Sequence, residues 1–163
     1  MEKAERDKLI AALSAIPDPE IPVITISDLG VLRDVKFTKE GVEVIITPTY
    51  SGCPAMKQIA DDIASLLKQA GIAQYKVNMV YDPPWTTDWL SDAAKEKLRV
   101  YGIAPPEHSS VDKRTLIGKD KIIACPRCGS EKTKMISQFG STACKALFQC
   151  SDCHEPFDHF KCL

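Results

Sequence analysis

Apolar positions recur along this chain at two periods, and the switches between them mark out its elements. Leu9, Ile10, Leu13 and Ile16 fall at helical spacing, and Pro17 ends that segment. The stretch "PDPEIP" then holds three prolines in six residues, so neither helix nor strand can continue through it, and a rigid turn is expected. "VLRDVKF" and "VEVIIT" read as two strands joined across "TKEG", with Gly41 in the turn and Val42, Val44 and Ile46 sharing one face. The period returns to that of a helix from about Pro54 to Ala70. There Met56, Ile59, Ala60, Ile63, Leu66 and Leu67 form one stripe, closed by Gly71. "YKVNMVY" alternates Tyr75, Val77, Met79 and Tyr81 as a third strand. A final helix follows, with Leu90, Ala94, Leu98 and Tyr101 on one face, Thr86, Thr87 and Asp88 as its capping residues, and Gly102 at its end. Trp85 and Trp89 are expected as core and turn anchors.

The order α-β-β-α-β-α over residues 1–103 predicts a small α+β domain, with helices laid over a three-stranded sheet. Residues 104–119, "APPEHSSVDKRTLIGK", are proline-, serine- and charge-rich without periodicity and read as a linker. Residues 120–163 hold six of the seven cysteines and form a second domain, too small to fold on a hydrophobic core alone.

Composition narrows the function classes. The chain is 44% hydrophobic and 26% charged with a net charge of −1, so no basic excess is present to hold a phosphate backbone. The N-terminus "MEKAERDKLIAALSAI" is charged and amphipathic, unlike a secretory signal, and no stretch approaches the roughly 20 apolar residues of a membrane span. A cytoplasmic location is expected, with no membrane partner. Thiols stay reduced there, and seven cysteines point to metal binding or reactivity before disulfides.

"CPRCGS" and "CSDCHE" place Cys125, Cys128, Cys150 and Cys153 as two CxxC pairs. Two thiolates three residues apart in a tight turn can face one ion, and two such turns complete a tetrahedral four-sulfur site. Gly129 suits a turn that aims backbone N–H groups at sulfur. The runs "KIIA", "TKMISQF", "KALFQ" and "PFDHF" fit the strands of a zinc ribbon. Spacing favours structural zinc but does not by itself separate it from a rubredoxin-like iron site. Cys144 reads as a small buried hydrophobe, with a fifth thiol offered to a partner's metal as the alternative. Cys162 is left without a role, and His154 and His159 read as surface or packing residues. Residues 104–163 carry nine Lys and Arg against seven Asp and Glu, and four thiolates on one Zn²⁺ bring that sum near zero. That balance argues against a nucleic-acid partner.

The remaining cysteine, Cys53, stands apart in "TPTYSGCPAM". Proline favours the first position of a helix, so Cys53 is expected as the N-cap residue. Its sulfur would then lie near unpaired N–H groups and the positive end of the helix dipole, which lowers a thiol's pKa towards neutrality. The first 103 residues contain no histidine, so a Cys–His pair is not available within them, and no resolving cysteine lies in that domain. Two readings stay open on the residues alone: an inert cap, or a thiol that transiently binds a metal or cluster.

"DPEIP", "TPTYSGCP" and "PPWTTDW", in this order and spacing, resemble the MIP18 (DUF59) family of cytosolic iron–sulfur assembly. The longer wording resembles its PaaD-like phenylacetate-degradation members over nearly the whole chain. It includes "DPEIPVITISDLGVLRDV", "PTYSGCPAM", "PPWTTDWLS" and "GIAPP", followed by "CPRCGS", "FGSTACKALFQC" and "EPFDHFK". The resemblance implies a MIP18-like domain followed by a zinc ribbon. It implies an accessory role, not itself catalytic on an organic substrate, in maturing the iron–sulfur or iron centre of a multicomponent phenylacetyl-CoA epoxidase. The oxygenase and reductase subunits of that system would be the partners. Cys53 maps onto the family's functional thiol within the pattern Thr49, Cys53, Pro54, and Asp18 and Glu20 map onto its acidic pair; on the residues alone these two read as exposed turn carboxylates that fix local backbone. The chain carries no GxxxxGK[ST] loop, so no nucleotide-driven step is assigned to it. A transient cluster on Cys53 and a homodimer pairing two such thiols are further expectations. The rival reading is a structural or adaptor subunit of the oxygenase with Cys53 inert; a third is thiol-dependent acyl or redox chemistry.

Overall fold

The structure, a computed structural model, describes residues 2–106 and 122–161. Contacts divide the chain into two compact units, Met1–Trp85 and Thr86–Leu163. By contacts the last helix groups with the cysteine-rich end. Most of the expected linker lies outside the described residues.

The first unit opens with α1, Lys3–Ser14, whose start is fixed by a reciprocal pair between Glu2 and Glu5; the Glu2 N–H donates to Glu5 Oε2 at 3.0 Å. It buries Leu9 and Leu13 and leaves Ile10 partly in solvent. Strands β1 (Leu32–Thr38) and β2 (Gly41–Ile46) pair antiparallel, while β3 (Tyr75–Met79) lies parallel to β2, giving the order β1-β2-β3. Parallel pairing requires a crossover, and α2, Ala55–Gln69, supplies it. Its buried residues Met56, Ile59, Ile63 and Leu67 match the predicted stripe, and Val42, Val44 and Ile46 of β2 are buried as expected. At Gly41 φ is 135°, and a Cβ there would lie 2.1 Å from the Gln74 carbonyl oxygen, so only glycine fits this turn.

Residues 17–31 form more than a turn. Ile21, Ile24, Ile26, Leu29 and Val31 are all buried although none lies in a regular element. Short ladders hold them: the Asp18 N–H donates to the Ile24 oxygen at 2.9 Å and the Ile26 N–H to the Ile16 oxygen at 2.9 Å. Trp85, 5% exposed, donates its Nε1–H to the Leu29 carbonyl at 2.7 Å, which makes it the anchor the sequence suggested.

The second unit begins with a single 3₁₀ turn, Thr87–Trp89, and α3, Asp92–Tyr101. Ser91 caps α3 by accepting from the Ala94 N–H at 3.1 Å. Thr86, Thr87 and Asp88 therefore do not cap it; they belong to the preceding turn. Gly102, with φ 95°, ends α3, and Ile103–Ala104 form β4 rather than the start of a linker. With β5 (Thr133–Ser137), β6 (Lys145–Cys150) and β7 (Pro156–Phe160) it builds a sheet in the order β4-β7-β6-β5. Ile122–Ala124 of the expected "KIIA" strand are not in a strand, and Lys121 lies outside the described residues. Ala104, Ile123, Ala146, Phe148 and Phe157 form a small core with Cys125 and Cys150. His159 is a packing residue. It meets the Phe148 ring edge-on and its Nδ1 lies 3.2 Å from the Ala104 carbonyl, which can only accept. Among the described residues no helix is long and apolar enough to cross a membrane.

Candidate metal and thiol sites

The two CxxC turns are built alike. The Cys125 N–H donates to the Ser130 oxygen at 2.9 Å, and the Cys150 N–H to the Glu155 oxygen at 3.0 Å. In each turn the residue after the second cysteine takes a positive φ, 75° at Gly129 and 61° at His154. That geometry frees backbone N–H groups to face sulfur, and the Cys153 N–H lies 3.5 Å from Cys150 Sγ. Side chains join the turns to each other. Asp152 accepts from Ser130 Oγ at 2.7 Å and from Lys132 Nζ at 3.3 Å.

The four sulfurs of Cys125, Cys128, Cys150 and Cys153 lie within 4.8 Å of one another. Two of their separations are 3.7 Å (Cys125 to Cys153) and 3.6 Å (Cys128 to Cys150). Four zinc–sulfur bonds of about 2.3 Å in a tetrahedron place sulfurs about 3.8 Å apart. The separations fit that edge and are far longer than the roughly 2.05 Å of a disulfide. Without a cation the four thiols cannot ionise together. N–H groups of Cys153 and Asp152 hold Cys150 down to about 7. Cys153 receives its strongest influence from the Glu155 N–H, which favours thiolate, yet desolvation and the neighbouring thiols push it up to about 12. A divalent ion at the centre removes that conflict, and four protein ligands leave it no open position. Cys144 is not part of this cluster. It is buried, with Thr142 Oγ1 at 3.0 Å from its sulfur, and behaves as the small hydrophobe expected. His154 is at the surface. Cys162 lies outside the described residues.

In the first unit the loop from β2 to α2 carries Cys53. Thr47, buried, donates its hydroxyl to the Val80 carbonyl at 2.7 Å and pins the start of this loop to the end of β3. The chain turns at Gly52, φ 77°, with the Cys53 N–H 3.3 Å from the Tyr50 oxygen. The helix begins one residue later than expected: Pro54, not Cys53, is the cap residue of α2. Cys53 still faces the helix start: the Ala55 N–H and the hydroxyls of Tyr50 and Thr49 each favour its thiolate. These influences do not prevail. Burial of the half-buried thiol is the largest influence, the Glu20 carboxylate adds to it, and the pKa lies above the ordinary cysteine value. The expected lowering towards neutrality is therefore corrected: desolvation outweighs the helix terminus.

Glu20, Thr49, Tyr50 and Cys53 thus come together. Asp18 has a different part. It is 7% exposed where an exposed carboxylate was expected, and its Oδ1 accepts from the N–H groups of Glu20 and Ile21 at 2.9 and 2.8 Å. It shapes the turn that presents Glu20. Nothing in the sequence signals Thr47, whose partner is 33 residues away.

Two family models match the chain: an iron-sulfur cluster assembly protein over residues 6–79 and a PaaD zinc beta ribbon domain over residues 109–161. The chain is 49% identical over 94% of its length to an Escherichia coli (strain K12) protein described as one of the subunits of 1,2-phenylacetyl-CoA epoxidase, covering 90% of that protein. It is 41% identical over 51% of its length to the Fe-S protein maturation auxiliary factor SufT of Staphylococcus aureus (strain USA300), covering 96% of it. A crystal structure of a DUF59 domain of unknown function from Bacillus anthracis shares 33% identity at a TM-score of 0.53, over 60% of this chain and 93% of that one.

Proposed function

Since the chain belongs to the iron–sulfur cluster assembly family, in its branch with a PaaD zinc ribbon, we propose that it is an accessory maturation factor of bacterial phenylacetate catabolism. Cys53 receives iron or an iron–sulfur cluster and passes it to a component of the phenylacetyl-CoA epoxidase, an oxygenase or reductase subunit, in the cytoplasm. The zinc ribbon is a structural module with no chemistry of its own, and the chain turns over no organic substrate.

The observation that carries this reading is the setting of Cys53: a half-buried thiol at a helix start, under the influence of the Ala55 N–H, the Tyr50 and Thr49 hydroxyls and the Glu20 carboxylate. Kept protonated at neutral pH, the thiol is a poor nucleophile towards oxidants and acyl groups. A metal changes that, because a coordinating thiol loses its proton outright. The sulfur–iron bond to Cys53 forms as the donor's thiolate–iron bond breaks. The Cys53 proton passes by way of Glu20 to the departing thiolate, and no electron changes hands. The hydroxyls of Thr49 and Tyr50 then share the charge left on sulfur, and Asp18 holds Glu20 in place.

The test is metal and acid-labile sulfide content of protein purified without oxygen, for wild type and Cys53→Ser. Zinc near one per chain in both, with iron and sulfide in wild type alone, is the expected result. The raised pKa of Cys53 favours a second reading, an adaptor subunit with an inert thiol. Zinc alone in both proteins, together with stable stoichiometric co-purification with the oxygenase and full cluster content of the client in Cys53→Ser cells, would establish the adaptor instead.

A further inference from the structure

The connection between β5 and β6, residues 138–144, is held by an arrangement that a solvent loop does not need. Lys145 is 5% exposed although charged, and its Nζ lies 3.6 Å from Asp158 Oδ2. The same oxygen accepts from Ser141 Oγ at 3.1 Å. Gly140 sits so close that a Cβ there would be 2.4 Å from Asp158 Oδ1. The Gly140 N–H donates to the Lys145 oxygen at 2.7 Å, and Lys161 Nζ to the Gln138 oxygen at 2.9 Å. This is the stretch "FGSTACKA", and neither the zinc site nor Cys53 accounts for it.

What the loop fixes is an exposed aromatic. Phe139 is 65% exposed, with the Lys161 ammonium 4.6 Å from its ring centroid. On the preceding edge strand β5, Met135 and Ile136 are 52% and 51% exposed. Met135 pairs with Phe148 and Ser137 with Leu147, so Ile136 is the extra residue of a bulge. A bulge on an edge strand re-aims a side chain and discourages addition of another strand, which leaves side-chain insertion as the use of this patch. Residues 132–139 contain no carboxylate. Asp152 offsets Lys132 and Asp158 offsets Lys145, so Lys134 and Lys161 set the charge of the patch.

We infer that Phe139 is a preformed anchor that inserts into an apolar groove rimmed by carboxylates on the client protein. The inference rests on the proposed function only in that a client exists. An aromatic held in one position loses little freedom on binding, the property that makes buried aromatics dominate interface energies. A single exposed ring suits a protein groove better than bases, which stack on successive aromatics. Lys134 and Lys161 supply the complement to acidic groups at the rim.

The experiment measures affinity of the full zinc-loaded chain for the purified remaining subunits of its epoxidase, by calorimetry at two salt concentrations. Phe139→Ser is expected to weaken binding roughly thirty-fold, the effect of a hot-spot residue, with zinc still one per chain; Phe139→Tyr stays near wild type. Lys134→Glu weakens binding and flattens its salt dependence. Wild-type affinity in Phe139→Ser would overturn the inference. So would binding of wild type to a single-stranded oligonucleotide and not to the subunits, or cluster delivery through Cys53 with no affinity for them. A Phe139 effect on binding without any role for Cys53 in cluster content would retain the anchor and remove the thiol mechanism.

Discussion

Replacing Cys128 by serine isolates the metal's contribution to the ribbon from its packing. Cys128 is exposed, whereas Cys125 and Cys150 are buried in the ribbon core, so shortening Cys128 leaves no cavity and the whole effect falls on the ion. Structural zinc binds such modules with about 10–16 kcal/mol. One thiolate of four accounts for roughly 2.5–4 kcal/mol if the share is even, and a serine hydroxyl is a poor replacement ligand. Cys128→Ser should therefore bind zinc about a hundred- to a thousand-fold more weakly. The core available without metal is small and includes two of the ligands themselves, so loss of zinc should also collapse the amide dispersion of residues 122–161. The assay is competition against a chromophoric chelator, with amide spectra recorded on the same samples. Cys144→Ser is the control. Its sulfur is buried beside Thr142 and outside the cluster, so it should cost about 1 kcal/mol of stability and leave zinc affinity unchanged. Wild-type zinc affinity in Cys128→Ser, or loss of affinity in Cys144→Ser, would refute the assignment of ligands.

Two further predictions concern single residues. Glu20 raises the Cys53 pKa through its negative charge; Glu20→Gln removes that charge, so the alkylation rate of Cys53, followed against pH by peptide mass mapping, should show a lower midpoint than wild type, and an unchanged or higher midpoint would mean that the carboxylate does not face the thiol. His154 holds φ 61° where its counterpart is Gly129, so His154→Gly should raise the stability of the zinc-loaded protein by about 1 kcal/mol in thermal unfolding; a fall would show that the imidazole makes a contact worth more than the strain.

Local patterns carried much of the fold. The stripe of α2 and the alternation of β2 were legible because each depends on neighbours within a few residues, and both are buried on the faces predicted. The four zinc ligands were legible for the same reason, since each CxxC turn is a local device. The cap of α3 was misplaced by several residues, because threonine, aspartate and serine all satisfy the same rule and only the chain's path selects Ser91. Residues 17–22 looked like a turn rich in proline, yet the segment 17–31 buries five large apolar residues that follow no period. No window of sequence could distinguish it from a surface loop.

Residue order alone was enough for the element types of the first unit, for the metal ligands and for the one cysteine that stands apart from them. The folded chain settled the rest. It paired β4 with a strand more than fifty residues further along, where the sequence suggested the start of a linker. It also reversed the direction of the Cys53 pKa. A helix terminus is visible in sequence, but burial and the approach of Glu20 from a separate loop are not. Desolvation depends on everything packed around a group, and that sum exists only once the chain has folded.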